Sequence, residues 1–182
     1  MRIVQAVVAA SAIVVAALAQ AAAPSPYTGE QSRPIKALSA EETTALLAGK
    51  GMGFAKAAEL NGYPGPAHVL ELASELQLSD AQKARTQALF AAMEAKAVAL
   101  GRALVEEERG LDRLFAEKAA TQESLAAALA RIGELQSRVR GAHLEAHLAQ
   151  VQILSPEQAA KYAELRGYGT GDESGQHAGH KH

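Results

Sequence analysis

Apolar residues recur along this chain at helical spacing and divide it into segments. Val69, Leu72, Ala73 and Leu76 make a short stripe. A longer one, Phe90, Met93, Ala97, Leu100, Leu104, Leu111 and Leu114, alternates steps of three and four, with Glu107 filling the gap. That spacing places the residues on one helix face, a seam for a partner helix. A third stripe, Leu125, Leu129, Ile132, Leu135 and Val139, lies on a helix running toward Gln152. The pattern predicts two long antiparallel helices joined near Glu117 to Thr121.

Start and stop signals sharpen these limits. Ser79 can cap the first long helix, Gln82 can reach back to the cap, and Leu78 can staple the entry. Thr121 can cap the second. Leu154-Ser155-Pro156-Glu157-Gln158 repeats the first start signal with proline at the favoured first position, and its short helix runs to Arg166 before Gly167. Upstream, Ser39 to Glu42 reads as a capping box for a helix to about Ala48, and Phe54 to Leu60 as a second short helix stopped by Asn61-Gly62. Gly49, Gly51 and Gly53 lie between them as a hinge. A phosphate loop is rejected there, because no strand precedes the glycines and Lys50 is followed by Gly rather than Ser or Thr.

The ends carry no helical period suited to a core. Arg2 followed by the apolar run Ile3 to Leu18 and by Ala19-Gln20-Ala21 reads as a signal peptide cleaved after Ala21. The alternative is an uncleaved anchor, since the run approaches the ~20 residues a membrane span needs. Pro24 to Ile35, with three prolines, reads as a linker. From Gly169 onward the chain is Gly, Ser, Asp and His without an apolar anchor and is expected to be disordered. The organisation is thus a signal peptide over 1–21, a linker with short helices over 22–65, a helical domain over 66–168 and a His-rich tail over 169–182.

Composition narrows the function. Hydrophobic residues make up 48% of the 182 residues but aromatics only 4%, which suits helices packed on helices rather than a sheet. A net charge of −2 lacks the basic surplus of a nucleic-acid binder. The absence of cysteine excludes disulfides and thiolate chemistry. Ser39, Ser79 and Ser155 read as caps, and Glu106-Glu107-Glu108 as a solvated face, so an enzyme is not expected.

Histidines supply the candidate chemistry. His143 and His147 are one helical turn apart, so both imidazoles can reach one ion. His143 falls within the arc of Leu125, Ile132 and Val139 and is expected to face the core; His147 lies on its shoulder, beside Leu144, Leu148 and Val151. The alternative is a core histidine satisfied by one hydrogen bond and a surface histidine. His68 precedes Leu78 by about as many residues as His143 precedes Leu154, which places all three histidines near one end of a paired bundle. Glu71 and Glu75 follow on the flank of His68. Three histidines with a carboxylate or water would suit zinc, nickel, cobalt or copper. His177, His180 and His182 in the tail form a weaker chelating set.

Leu78, Ser79 and Gln82, repeated as Leu154, Ser155 and Gln158, are two Leu-Ser-x-x-Gln motifs on an exported, cysteine-free helical chain. In this the chain resembles the Spy/CpxP-like LTxxQ-motif family of periplasmic proteins, including heavy-metal-resistance proteins of the ZraP/CnrX kind, with serine where threonine is commoner. The resemblance spans roughly Pro66 to Arg166. It implies an all-α fold, a long antiparallel hairpin with short flanking helices that dimerises into a cradle. It also implies a concave face for unfolded envelope proteins without ATP, or a metal or stress sensor working with a membrane partner. CnrX is similar in placing a histidine before the first motif and a His-x-x-x-Met pair before the second; here His147 stands at the methionine. Where its carboxylate ligand would fall, this chain has Phe90 or nearby Glu94. A dimer is also expected from the seam Phe90 to Leu114, which the short flanking helices are too brief to cover. The reading is a periplasmic metal-binding protein of envelope stress or metal resistance, with a metal-sensing or buffering module lacking chaperone activity as the alternative.

Overall fold

The computed structural model describes residues 24–168. Six α-helices occur among them: α1 (Ala40–Leu47), α2 (Lys56–Glu59), α3 (Pro66–Glu71), α4 (Asp80–Ala116), α5 (Gln122–Val151) and α6 (Pro156–Leu165). No strand occurs among the described residues, and none of their helices is long and apolar enough to cross a membrane. Residues 24–31 are a separate unit of turns, in which the Thr28 hydroxyl donates to the Ser25 carbonyl at 2.7 Å. The described residues from Ser32 onward form one compact unit.

The predicted helix starts hold. Ser39, Ser79 and Ser155 each accept from the backbone amide three residues on, and Glu42, Gln82 and Gln158 each return a bond to the cap amide. Thr121 does the same with Ser124 as its counterpart. The two glutamines do more than cap. Gln82 Nε2 donates to the Ile153 carbonyl at 2.9 Å and to Gln158 Oε1 at 2.7 Å. Gln158 Nε2 donates to the Leu76 carbonyl at 3.1 Å and to Gln82 Oε1 at 3.1 Å. The twin motifs therefore clasp each other across the open end of the hairpin, each amide satisfying the last turn before its partner's helix.

Helix α4 extends for about 55 Å at 1.5 Å per residue, and α5 returns along it. Arg131 Nε meets Glu107 Oε2 at 2.9 Å, Lys96 Nζ meets Glu145 Oε2 at 2.6 Å, and Gln150 Nε2 donates to Thr86 Oγ1 at 3.2 Å. Residue numbers rising on one helix as they fall on the other define the antiparallel register. The seam is Ala97, Leu100, Leu104 and Val105 against Ala128, Ile132, Val139, Ala142 and Ala146. Leu129 departs from its predicted place: it is 50% exposed and Ala128 fills the seam instead. The buried face follows Ala128, Ile132 and Leu135, so Leu129 lies one residue, about 100°, outside it. Leu148 is likewise 56% exposed. Glu108 is also corrected, because it is buried and not part of a solvated face. It lies one turn beyond Leu104 on the packed side of α4.

Two apolar clusters result. One joins Ile35 and Leu46 to Leu100, Leu104, Val105, Ile132, Val139 and Ala142, with Leu38 and Phe54 packed against it. The other, at the open end, joins Val69, Leu76, Leu78, Leu154 and Tyr162. The first includes a feature absent from the seam argument: residues 35–54 lie on the hairpin and cover its apolar groove. Burial of side chains such as Ile35 and Leu46 stabilises that docking by about 1.5–3 kcal/mol each. Gly101 allows the close approach. A Cβ built there would stand 2.1 Å from the Leu46 carbonyl oxygen, so only glycine lets the end of α1 rest on α4. Residues 35–54 thus cover the seam around Leu100 and Leu104 from within the chain, while Phe90, Met93 and Leu114 toward its two ends are only half-buried.

Candidate functional site

Along α5 the first apolar cluster ends at Ala142 and the second begins at Leu154. Between them the buried side chains are polar except for Ala146: His143, His147 and Gln150, with Thr86 opposite on α4. The two histidines of this belt line a cavity of about 530 Å³, which His68 lines as well. The structure therefore brings the three predicted histidines to one cavity.

His143 is 6% exposed and stacks on Phe54, ring centroids 6.2 Å apart. Its Nε2 is buried without a hydrogen-bond partner. Burial, and then the neighbouring His147, holds its pKa below the ordinary histidine value, so the ring is neutral. His147, at 8% exposed, is not a surface residue. Its Nδ1 lies 2.7 Å from the Tyr63 carbonyl, which can only accept, so Nδ1 carries the hydrogen and a neutral ring keeps its lone pair on Nε2. A backbone carbonyl that fixes the tautomer in this way is the usual support behind a metal-binding imidazole. His68 sits at the rim, its side chain 39% exposed.

The residue that ties these groups together is Glu59, on α2, which sequence reasoning missed. It is buried. Its Oε1 accepts from the Tyr162 hydroxyl and lies 3.5 Å from both His68 Nδ1 and Arg166 Nε. Its Oε2 lies 3.7 Å from His147 Nδ1 and has no hydrogen-bond partner. Burial and then the bond to Glu59 push the Tyr162 hydroxyl pKa up strongly, so the phenol stays protonated and donates. Nothing in Lys56-Ala-Ala-Glu59 signals this role: the helix is one turn long, and its facing is set by where the chain must go. Glu71, Phe90 and Glu94 also line the cavity and Glu75 does not; Glu71 and Glu75 are both exposed.

The donors are neighbours rather than a finished coordination sphere. Among the described residues no three His, Cys, Asp or Glu side chains converge closely enough to hold an ion as they stand. Buried Glu59 Oε2 and His143 Nε2, each without a partner, are the atoms that an ion would satisfy. The motif residues are structural: Leu78 and Leu154 belong to the second apolar cluster, Ser79 and Ser155 cap, and Gln82 and Gln158 form the clasp. The tail histidines His177, His180 and His182, and the predicted signal peptide, lie outside the described residues.

Glu108 lines a second cavity, of about 670 Å³, with Leu46, Phe54 and Leu104. Desolvation holds its pKa above the ordinary carboxylate value. A carboxyl whose pKa is higher folded than unfolded contributes most stability below the unfolded pKa and loses it as pH rises through the folded value. Glu108→Gln is therefore expected to raise the thermal midpoint at pH 7, with the gain shrinking to nothing below about pH 4. Melting curves across that range check it; a gain that persists unchanged at pH 3.5 contradicts it.

The profile described as LTXXQ motif family protein matches residues 67–166, from α3 through α6. No curated protein and no solved structure matches the chain.

Proposed function

We propose that this chain, which belongs to the LTXXQ motif family, binds a transition-metal ion in the bacterial envelope and protects or senses there under metal or folding stress. The observation carrying the reading is the pair on α5. His143 and His147 are buried one turn apart in a shared cavity, with unpartnered Nε2 on one and a carbonyl-fixed tautomer on the other. His68 at the rim completes the proposed donor set, and zinc, nickel, cobalt and copper all suit imidazole nitrogen. The bound ion would supply charge and cross-linking; the chain's residues position it and exclude water. A binding protein fits better than an enzyme, because Ser39, Ser79 and Ser155 are all occupied as helix caps. Between chaperone and sensor, the covering of the hairpin's apolar groove by residues 35–54 favours the sensing or buffering role. Periplasmic location rests on the N-terminal apolar run and on the family.

Titration with Zn²⁺, Ni²⁺, Co²⁺ and Cu²⁺ by calorimetry tests this. The full chain is expected to bind one ion tightly and to gain about 2.7 kcal/mol of stability at a hundredfold excess over Kd. The gain should weaken as pH falls and protons compete for the imidazoles. His143→Ala should lose the tight site, while deletion of 169–182 should remove only weak additional binding. If the deletion alone abolishes all binding, or His143→Ala binds as tightly as the parent, the belt histidines are structural.

A further inference from the structure

Glu108 differs from the acidic residues beside it on α4. Glu106 pairs with Arg109, and Glu107 with Arg131. The Glu108 side chain is buried, at 8% exposure, and among the described residues no hydrogen bond or ion pair reaches its carboxyl; desolvation alone pushes its pKa up. A buried carboxyl without a partner weakens the fold. One that lines a cleft is a candidate for binding rather than packing.

The cavity it lines, of about 670 Å³, has the size and the mostly apolar lining of a small-molecule site. Leu38, Leu46 and Phe54 reach it from the segment that covers the hairpin, and Leu104 lies one turn from Glu108 on α4. From α5 come Gly133, Gln136, Ser137, Arg140 and Leu144, whose spacing puts them on one helix face. Gly133 keeps that side open, since an added Cβ there meets nothing within 4 Å. Glu42 also lines the cavity. Its Oε2 accepts from the Ser39 amide at 2.8 Å, and that bond foremost holds its pKa low, so it is ionised. Arg140 is exposed and makes no ion pair with Glu108.

These features select the ligand by charge. An anionic amphiphile would bring its head toward two carboxyls or out to Arg140, and in either case leave Glu108 without a partner. Calcium or magnesium would need about six oxygen ligands, and Leu46, Phe54 and Leu104 beside Glu108 supply none. An ammonium group on a hydrocarbon body answers both the carboxyl and the apolar lining. We propose that this cavity binds a small amphipathic amine, its ammonium group paired with Glu108 and its hydrocarbon body against Leu46, Phe54, Leu104 and Leu144. The proposal is independent of the metal reading, which concerns the histidine-lined cavity.

Calorimetric titration of the full chain with n-octylammonium, n-octanol and octanoate, each below its micellar range, tests this. The three probes share one hydrocarbon chain and differ in the charge of the head. Octylammonium is expected to bind about tenfold or more tighter than octanol, the scale of a hydrogen bond to a charged group. Octanoate should bind no better than octanol. Glu108→Gln, expected to melt above the parent at pH 7, should lose this preference, so that octylammonium falls to the affinity of octanol. Gly133→Leu keeps the carboxyl and puts a side chain into the open space on α5. With parental helical content by circular dichroism, it should weaken octylammonium and octanol alike by about tenfold, the scale of overpacking. It also decides the matter if Glu108→Gln does not fold. Absence of saturable octylammonium binding by the parent, tighter binding of octanoate, or an unchanged preference in Glu108→Gln each overturns the proposal. Parental affinities in Gly133→Leu place the probes elsewhere on the protein and overturn it as well.

Discussion

Gly101→Ala is expected to destabilise the protein, whereas Gly133→Ala is expected to stabilise it, although both exchange glycine for the best helix former inside a long helix. Alanine gains about 1 kcal/mol over glycine at an open helix position. Gly133 on α5 has nothing within 4 Å of the added Cβ, so it should collect that gain. At Gly101 the Cβ would stand 2.1 Å from the Leu46 carbonyl oxygen and 2.8 Å from its carbon. Both are backbone atoms, which no rotamer change can move aside. Overpacking of this kind costs about 1–3 kcal/mol and exceeds the propensity gain at its upper end. The cheapest relief is for α1 to lift, exposing Leu46 and Ile35. The thermal midpoint should fall by several degrees in Gly101→Ala and rise by a few in Gly133→Ala, about 2–4 °C per kcal/mol for a chain of this size. Faster hydrogen exchange across residues 35–54 should accompany the fall. Midpoints that shift in the same direction for both variants would show that α1 does not rest on α4 at Gly101.

Loss of the glutamine clasp should cost more. Gln82→Ala and Gln158→Ala each remove a cap bond, worth about 1 kcal/mol, and leave the Ile153 or Leu76 carbonyl without its side-chain donor, at about 1–3 kcal/mol. Each single variant is expected to lose about 2–4 kcal/mol by these two effects. The double variant should lose less than the sum, because both single truncations remove the same Gln82–Gln158 bonds; coupling of about 0.5–3 kcal/mol is the range for such contacts. Gln82→Glu separates clasp from cap. Glutamate caps a helix as well as glutamine does, so a pure cap would tolerate it. It cannot donate to the Ile153 carbonyl at 2.9 Å or to Gln158 Oε1 at 2.7 Å, and it places a charge beside both acceptors. Urea unfolding should therefore find Gln82→Glu about as unstable as Gln82→Ala. Near-parental stability would reduce the motif to a pair of independent caps.

The motif shows where sequence reading succeeds and where it stops. Ser79 with Gln82, and Ser155 with Gln158, were legible as capping boxes because a cap involves residues three apart and needs nothing else in the chain. The long helices were legible for the same reason, through Phe90 to Leu114 and Leu125 to Val139. That the two boxes share their glutamine amides was not legible, since the bonds join residues 76 positions apart. Periodicity also erred where the packed face drifts by a single residue. Leu129 was placed in the seam on its apolarity, but Ala128 is there, because close helix approach selects for the small residue on the facing side.

The candidate site divides in the same way. The i, i+4 spacing of His143 and His147 and the core-facing arc of His143 are properties of one helix, and the sequence alone determined them. The placement of His68 beside the same cavity followed from pairing the two motifs. Glu59 could only be supplied by the tertiary structure. Its partners Tyr162, His68, His147 and Arg166 come from α3, α5 and the end of α6. It sits on a single helical turn between glycine- and proline-rich stretches, where no repeated apolar pattern specifies which way a side chain faces. The cover over the hairpin groove is of the same kind. Ile35, Leu46 and Phe54 are scattered singly through short elements, and only the absence of a side chain at Gly101 lets the α1 backbone come near enough for them to share a core. Local hydrogen bonding and helical period are written along the chain; convergence of distant groups depends on how closely the backbones approach, and that is decided by packing.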